Sequence, residues 1–146
     1  MNTSPDRQKL GAKLELFAFL IGIVPIGIYL IVILLLRDIL SLQLESSTLN
    51  ILVILLLVIS LIQFGAGFLL ENILFKQQKV QLSVDDILSK GLVIFALGES
   101  ITVYGLVVAL LGASLDIFTL FAALTIAYYF VFRGRIRTWL DHLGKE

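Results

Sequence analysis

Several residue types that commonly carry chemistry are missing or scarce in this chain of 146 residues. It has no cysteine, which excludes disulfide bonds and thiol chemistry. Its single histidine, His142, lies in the C-terminal tail, so no metal site built from histidine and cysteine is predicted. The sequence has no phosphate-binding loop, zinc-protease motif or nucleophile–base pair. We therefore predict neither an enzyme nor an organic cofactor.

Charge is also scarce, and its two signs are balanced. The 11 basic and 11 acidic residues cancel, so no overall field attracts nucleic acid, and none is predicted as a partner. Charged residues make up 15% of the chain and apolar residues 59%. A soluble domain has about a quarter of its residues charged. This composition therefore favours a protein that is embedded in a lipid bilayer.

Four apolar segments have about the length that a membrane crossing needs. A spanning helix takes about 20 residues, and a helix satisfies its own backbone hydrogen bonds in lipid. We predict one all-α domain, an antiparallel bundle of four transmembrane helices, with spans at about 16–36, 51–75, 91–111 and 115–132 and a basic interfacial tail at 133–146. The first apolar run is too long for a secretory signal peptide, so none is predicted.

The basic residues are distributed asymmetrically between the two predicted sides. Only Arg37 lies on one side, while ten lie on the other: Arg7, Lys9, Lys13, Lys76, Lys79, Lys90, Arg133, Arg135, Arg137 and Lys145. Loops rich in Lys and Arg stay in the cytoplasm. We therefore predict that both termini and the central loop are cytoplasmic, in a bacterial or archaeal inner membrane.

Residues near the predicted cytoplasmic boundary have interfacial character. Tyr128, Tyr129 and Trp139 are predicted at headgroup depth, where aromatic rings concentrate. Glu71 is predicted to be interfacial as well. The tail could lie on anionic lipid through its arginines and its apolar residues Ile136, Trp139 and Leu140. A basic stop signal with a frayed end is the alternative.

Local signals predict where helices bend, begin and end. Pro25 in the first span removes one backbone hydrogen bond and predicts a kink. The pattern Ser83-x-x-Asp86 resembles a capping box and predicts a helix start before the third span. The segment Gly112–Leu115 predicts a tight turn, and Asp116 favours the helix N-terminus that follows it.

Glu99 is the main candidate for a functional residue. It is nine residues from Lys90 and twelve from Leu111, which places it near the middle of the third span. A carboxyl group at that depth must be protonated, hydrogen-bonded or bound to a cation, and such groups are functional by default. The alternative is a protonated carboxyl that only links helices.

Other polar side chains are predicted near Glu99. Positions 63 and 99 are equidistant from position 81 in the loop between the second and third spans, so Gln63 is predicted at the depth of Glu99. An amide–carboxyl hydrogen bond follows if the two face each other, and a bond elsewhere in the bundle is the alternative. Ser100 and Tyr104 add hydroxyl oxygens, and hard oxygen ligands suit an alkali cation.

Glycines in the second and third spans predict close helix packing. Residues seven apart lie on one narrow stripe of a helix, and four glycines recur at that interval: Gly91, Gly98, Gly105 and Gly112. Gly65 and Gly67 form a smaller patch on the second span. Small residues let another backbone approach closely, which drives helix association in lipid.

The third span resembles the carboxylate helix of a known family. Glu99 is followed at once by Ser100, and Tyr104 begins the run Tyr-Gly-Leu-Val-Val-Ala-Leu. This pattern resembles the rotor proteolipids of F- and V-type ATP synthases, the c-subunit family, and Gln63 resembles the Gln on the preceding helix of the sodium-binding members. The resemblance covers the hairpin of the second and third spans. It implies that Glu99, Gln63, Ser100 and Tyr104 bind H+ or Na+.

Two functions are open on the sequence. The first is binding or translocation of H+ or Na+ at the mid-membrane carboxylate. The second is a structural or assembly role, in which the glycine stripe packs against other helices. In both cases the predicted partners are the lipid bilayer and either further copies of the chain or other membrane subunits.

Overall fold

All regular structure in the described residues is helical. The computed structural model describes residues 5–40, 44–76 and 82–141, so Lys79, His142 and Lys145 lie outside them. The helices are α1 (Pro5–Gly22), α2 (Val24–Leu40), α3 (Ser46–Glu71), which continues into a π-helical turn (Asn72–Lys76), α4 (Val84–Leu110), α5 (Leu115–Arg133) and the short α6 (Ile136–Leu140).

Four helical stretches are long and apolar enough to cross a membrane. They are Arg7–Arg37, Ser46–Phe75, Val84–Leu110 and Leu115–Leu140. They contain three of the four predicted spans in full and the third except for its last residue, 111, and they extend beyond most of the predicted ends. The all-α prediction and the prediction of a multi-pass membrane protein are therefore confirmed at the level of helix number, length and composition.

The first crossing is interrupted where the sequence predicted a kink. α1 ends at Gly22 and α2 begins at Val24, so Ile23 separates them. Pro25 has no backbone N–H to donate to the turn before it, and its ring crowds that turn. The chain resumes its helix directly, since the Ile26 N–H donates to the Ile23 carbonyl at 3.2 Å.

Both predicted ends of the third crossing are present. The Ser83 side chain accepts from the Asp86 backbone N–H, and the Asp86 carboxylate accepts from the Ser83 backbone N–H, which completes the capping box. At the other end Gly112 has a φ of 107°, which favours glycine. The Ala113 N–H donates to the Val108 carbonyl at 2.9 Å, which is the Schellman arrangement.

α4 is the central helix of the packing. It contacts α1, α2, α3 and α5, and it buries a larger share of its residues than the other three crossings do. The outward faces of α2 and α3 remain apolar and exposed, as at Leu35 and Ile62. An exposed apolar surface on both helices matches a lipid environment.

Contacts between segments distant in sequence define the two ends of the molecule. At one end Arg7 of α1 pairs with Asp141 beyond α6, with 3.8 Å between the nitrogen and the oxygen. At the opposite end the Leu44 N–H donates to the Leu111 carbonyl at 3.2 Å. The described ends of the chain therefore lie at the same end of the molecule.

The glycines of α3 and α4 make room for large side chains of neighbouring helices. A Cβ built on Gly98 would lie 2.5 Å from the Tyr128 ring, and one on Gly67 would lie 2.5 Å from the Tyr128 hydroxyl oxygen. A single phenol thus fills a slot between α3 and α4, which we call the Tyr128 slot. Gly91 receives Leu14 and Gly105 receives Phe121 in the same way.

Three sequence expectations about these residues need correction. Tyr128 and Tyr129 are buried between helices rather than placed as headgroup anchors. Gly112 lies in the turn beyond α4, so it does not extend the packing stripe. A Cβ on Gly65 would meet nothing within 4 Å, so that glycine packs against no other helix in the described residues. The rotation of each helix about its own axis decides these outcomes.

The Tyr128 slot predicts opposite effects for two alanine substitutions on α3. Gly67→Ala forces a methyl group against Tyr128, and overpacking of this kind costs about 1–3 kcal/mol. Gly65→Ala meets open space, and removing a helical glycine gains up to about 1 kcal/mol. We expect a lower unfolding temperature in detergent for the first variant and an equal or higher one for the second. Equal losses in both would contradict the slot.

Candidate functional site

Glu99 lies in the middle of α4 and is half-buried. Its Oε1 accepts a hydrogen bond of 2.7 Å from the hydroxyl of Tyr29 on α2. Sequence reasoning missed this partner. The signal was available, because Tyr29 is the only residue with a polar side chain between positions 16 and 36. A lone polar group in an apolar span usually finds a partner on another helix.

Gln63 reaches α4 but does not bond to Glu99. Its Nε2 donates to the Leu97 carbonyl at 3.1 Å and also contacts the Ser100 hydroxyl. Ser100 in turn donates to the Leu97 carbonyl at 2.7 Å. The expected amide–carboxyl bond is therefore replaced by the alternative, a bond elsewhere in the bundle. Gln63 and Ser100 are joined directly, one residue along the chain from Glu99.

The side-chain oxygen of Gln63 has no hydrogen-bond partner among the described residues. Its Oε1 is buried and accepts no hydrogen bond from the described residues. A buried carbonyl oxygen without a donor is costly, so the site stays incomplete on this side. Either a hydrogen-bond donor or a cation would satisfy that oxygen.

Tyr104 does not belong to this group. It is half-buried and packs against the apolar core. Within the described chain it makes no hydrogen bond to Glu99, Gln63 or Ser100. Five residues along a helix turn the side chain by about 140°, so Tyr104 points away from Glu99. The structure therefore joins Gln63 to Ser100, leaves Tyr104 apart, and supplies Tyr29 as the phenol beside the Glu99 carboxyl group.

The helical turn before Glu99 is fixed by side chains from α5. The Tyr128 hydroxyl donates to the Ile94 carbonyl at 3.0 Å, and Thr125 donates to the Gly98 carbonyl at 3.3 Å. Thr102 donates to Thr125 at 2.6 Å in the same buried contact. These bonds hold the backbone of α4 in one position. The Glu99 side chain leaves that backbone toward α2.

The site opens at the seam between α2 and α3. Both helices pack mainly on α4 rather than on each other. α2 contributes Tyr29 on one side of the seam, and α3 contributes Gln63 on the other. Val93 and Ala96, on the exposed part of α4 just before Glu99, are open to the surroundings. The carboxyl group is therefore covered on one side and accessible from the other.

No positive charge neutralises Glu99 within the described part of the chain. Three ion pairs there, Arg7–Asp141, Arg133–Glu15 and Arg135–Glu71, all lie at the end that carries the described ends of the chain. No group of three His, Asp or Glu side chains that could hold a metal ion occurs among these residues. Glu99 thus has a phenol and nearby oxygens around it, but no cationic side chain.

A second polar cluster ties the end of α3 to α6. Glu71 is 1% exposed, and its carboxylate accepts from Arg135 at 2.5 Å and from the Trp139 indole at 3.0 Å. The Arg135 guanidinium also lies 5.0 Å from the centre of the Phe68 ring. Trp139 stacks on Phe75 with 4.8 Å between the ring centroids. Glu71 is therefore enclosed by protein rather than exposed to headgroups, and its interfacial depth stays a prediction.

The tail turns back onto the helices. Ile136 is 2% exposed and Trp139 is fully buried, so neither can lie on lipid as the sequence suggested. The separation of 64 residues between Glu71 and Arg135 hid this pair. The topology prediction was the available signal, because it placed Glu71 and Arg135 at the same, cytoplasmic boundary.

No protein-family model, curated protein or solved structure matches this chain. The resemblance to rotor proteolipids therefore rests on the residues of the hairpin themselves. Of those residues, Gln63 and Ser100 meet between α3 and α4, while the Glu99 carboxyl group bonds to α2 and Tyr104 packs against the apolar core. The geometry of this site carries the functional argument.

Removing Arg135 should destabilise the protein more than removing an exposed arginine. Arg135→Ala leaves the enclosed Glu71 carboxylate without its cation, and breaking a buried ion pair costs about 3–5 kcal/mol. Arg133→Ala is the matched control, because its pair with Glu15 is exposed and worth at most about 1 kcal/mol. The free energy of unfolding in mixed micelles measures both.

A second substitution separates charge from packing at this cluster. Glu71→Gln in the Arg135→Ala background removes the unpaired charge but keeps an oxygen that accepts from Trp139. We expect part of the lost stability to return. Trp139 is the only tryptophan of the chain, so its emission spectrum reports the cluster directly. A double variant no more stable than Arg135→Ala would contradict the assigned charge pair.

Proposed function

We propose that this protein binds H+ or Na+ at Glu99 and exchanges it across a bacterial or archaeal inner membrane. The observation that supports this proposal is a half-buried carboxyl group in the middle of α4, with a phenol donor and no cationic partner among the described residues. A carboxylate at that depth is expensive unless it binds a proton or a cation. A purely structural link would not need one side of the group to remain open.

The proposed topology is an antiparallel bundle with both termini in the cytoplasm. Contacts between α4 and α5 support opposite directions, because Ile94 bonds to Tyr128 while Gly105 packs on Phe121. The Arg7–Asp141 pair supports a common side for the described chain ends. The excess of Lys and Arg on that side assigns it to the cytoplasm.

Oxygen atoms around Glu99 suit either ion. A proton would bind the carboxylate while Tyr29 continues to donate to Oε1. A sodium ion would use the carboxylate together with neutral oxygens, for which the candidates are the Tyr29 hydroxyl beside it and the unpartnered Oε1 of Gln63 on α3. Hard cations prefer oxygen ligands. The two ions would therefore compete for the same carboxylate.

Tyr29 and the seam between α2 and α3 suggest how the ion could exchange. The phenol covers one oxygen of the carboxylate from α2. The break at Ile23, just before Pro25, lies about one and a half turns from Tyr29 on the same crossing. A small tilt of α2 about that break would lengthen the bond to Glu99 and uncover the carboxylate. Tyr29 is thus a positioning residue in this proposal.

The alternative, assembly through the glycine stripe, has less support. Gly91, Gly98 and Gly105 are occupied by Leu14, Tyr128 and Phe121 of this same chain. A partner helix could not enter those positions without displacing them. Assembly into a homo-oligomer or with other membrane subunits stays a prediction, and it would need another surface.

Labelling with dicyclohexylcarbodiimide tests the carboxyl group directly. This apolar reagent enters the bilayer and modifies protonated carboxyl groups. We expect one adduct on the protein in lipid, at Glu99, with slower labelling as sodium rises if sodium binds there, and faster labelling at lower pH in either case. Glu99→Gln should remain unlabelled. Equal labelling of the enclosed Glu71, or none at Glu99, would refute the proposal.

Separate substitutions of Tyr29 and Tyr104 test which phenol acts on Glu99. The structure indicates Tyr29, and the c-subunit resemblance implies Tyr104. Tyr29→Phe removes the donor to Glu99, so we expect labelling of Glu99 to change severalfold, which matches the loss of about 1 kcal/mol. Tyr104→Phe is the matched control and should leave the labelling rate unchanged. The reverse pattern would favour a ligand role for Tyr104, as the c-subunit resemblance implies.

Ion transport by reconstituted protein tests the wider function. Vesicles that contain the wild-type chain should take up protons or sodium along a gradient, and Glu99→Gln should abolish the uptake while the protein keeps its unfolding temperature. If wild-type and Glu99→Gln vesicles behave alike while Glu99→Gln unfolds at lower temperature, the carboxyl group has a structural role.

A further inference from the structure

A groove runs between α1 and α6 at the end of the molecule that carries both described chain ends. It encloses about 590 Å³, which is in the size range of small-molecule sites. Gly11 and Ala12 of α1 and Ile136 and Leu140 of α6 supply its small and apolar lining. Charged side chains from the same two helices also line it. The groove therefore combines an apolar surface with charge.

The charges along the groove are unevenly paired. Asp141 pairs with Arg7 at 3.8 Å, and Glu15 pairs with Arg133 at 3.4 Å. Arg137 also lines the groove and is exposed, and it forms no ion pair with any described residue. Both carboxylates are thus already engaged, while the Arg137 guanidinium is left without an anion from the described part of the chain.

The groove lies at the boundary of the apolar crossings. The first crossing begins at Arg7, and the last ends at Leu140, so both walls of the groove are the terminal turns of membrane-crossing helices. Lys9 and Lys13 of α1 are exposed but do not line the groove, so Arg7 and Arg137 are its basic side chains. A basic side chain that keeps no acidic partner at this level of a membrane protein attracts anionic phospholipid headgroups.

We propose that the α1–α6 groove binds one anionic phospholipid. The Arg137 guanidinium pairs with the lipid phosphate, because a planar guanidinium matches phosphate oxygens. The glycerol and the first part of an acyl chain lie along Gly11, Ala12 and Leu140. A soluble phosphate ion would use the guanidinium alone and gain nothing from the apolar lining. The site is independent of ion binding at Glu99.

Lipid titration of the full chain tests the site. The protein in a neutral detergent is titrated with phosphatidylglycerol, phosphatidylcholine or inorganic phosphate, and bound lipid is counted by native mass spectrometry. We expect one phosphatidylglycerol to bind in preference to phosphatidylcholine, and the unfolding temperature to rise with it. Stabilisation by inorganic phosphate to the same extent, or equal binding of both lipids, would overturn the assignment to an anionic lipid.

Two variants and one control show whether the lipid binds in the groove. Arg137→Gln removes the unpaired guanidinium, and a lost charged hydrogen bond corresponds to roughly a tenfold or larger fall in affinity. Ala12→Trp fills the groove from its exposed wall and should block binding as well. Arg37→Gln is the control, because this exposed arginine lies at the other end of the molecule. Equal lipid binding by all three variants would overturn the proposal.

Discussion

The packing of this protein depends on one phenol held between two glycines. Tyr128 enters the slot formed by Gly67 on α3 and Gly98 on α4, and its hydroxyl donates to the Ile94 carbonyl. Lipid offers no hydrophobic driving force between helices, so close contact and interhelical hydrogen bonds must hold the bundle together. One side chain of α5 supplies both kinds of interaction to two other helices.

The position of Glu99 follows from that contact. Gly98 precedes it directly, so the phenol fixes the turn from which the carboxyl group leaves α4. Thr125 adds a second bond to the same turn from α5. One side of α4 is thus rigidly packed, and the other carries Glu99 toward Tyr29 and the seam. Rigid packing and access to the carboxyl group are thus found on different faces of one helix.

Local features of this fold could be predicted from the sequence, whereas the side chains that pair between helices could not. Apolar length gives the four crossings, and the capping box at Ser83 and the turn at Gly112 depend only on neighbouring residues. The depth of Glu99 follows from counting. The hydrogen-bond partner of Glu99 does not follow from counting, because an apolar span does not show how far each helix is rotated about its axis. The same reason explains why Gln63 bonds to Ser100 and why Glu71 meets a residue of the tail.

The distance in sequence between Glu71 and Arg135 affects how the chain can be assembled. At roughly 5–20 residues per second, ribosomes need several seconds to add the 64 residues that separate them. During that interval the second crossing has been made while its acidic end still lacks a partner and must remain hydrated. Closure of that end therefore has to wait until α6 has been synthesised, and a chain that stops before Arg135 would leave the Glu71 carboxylate unpaired.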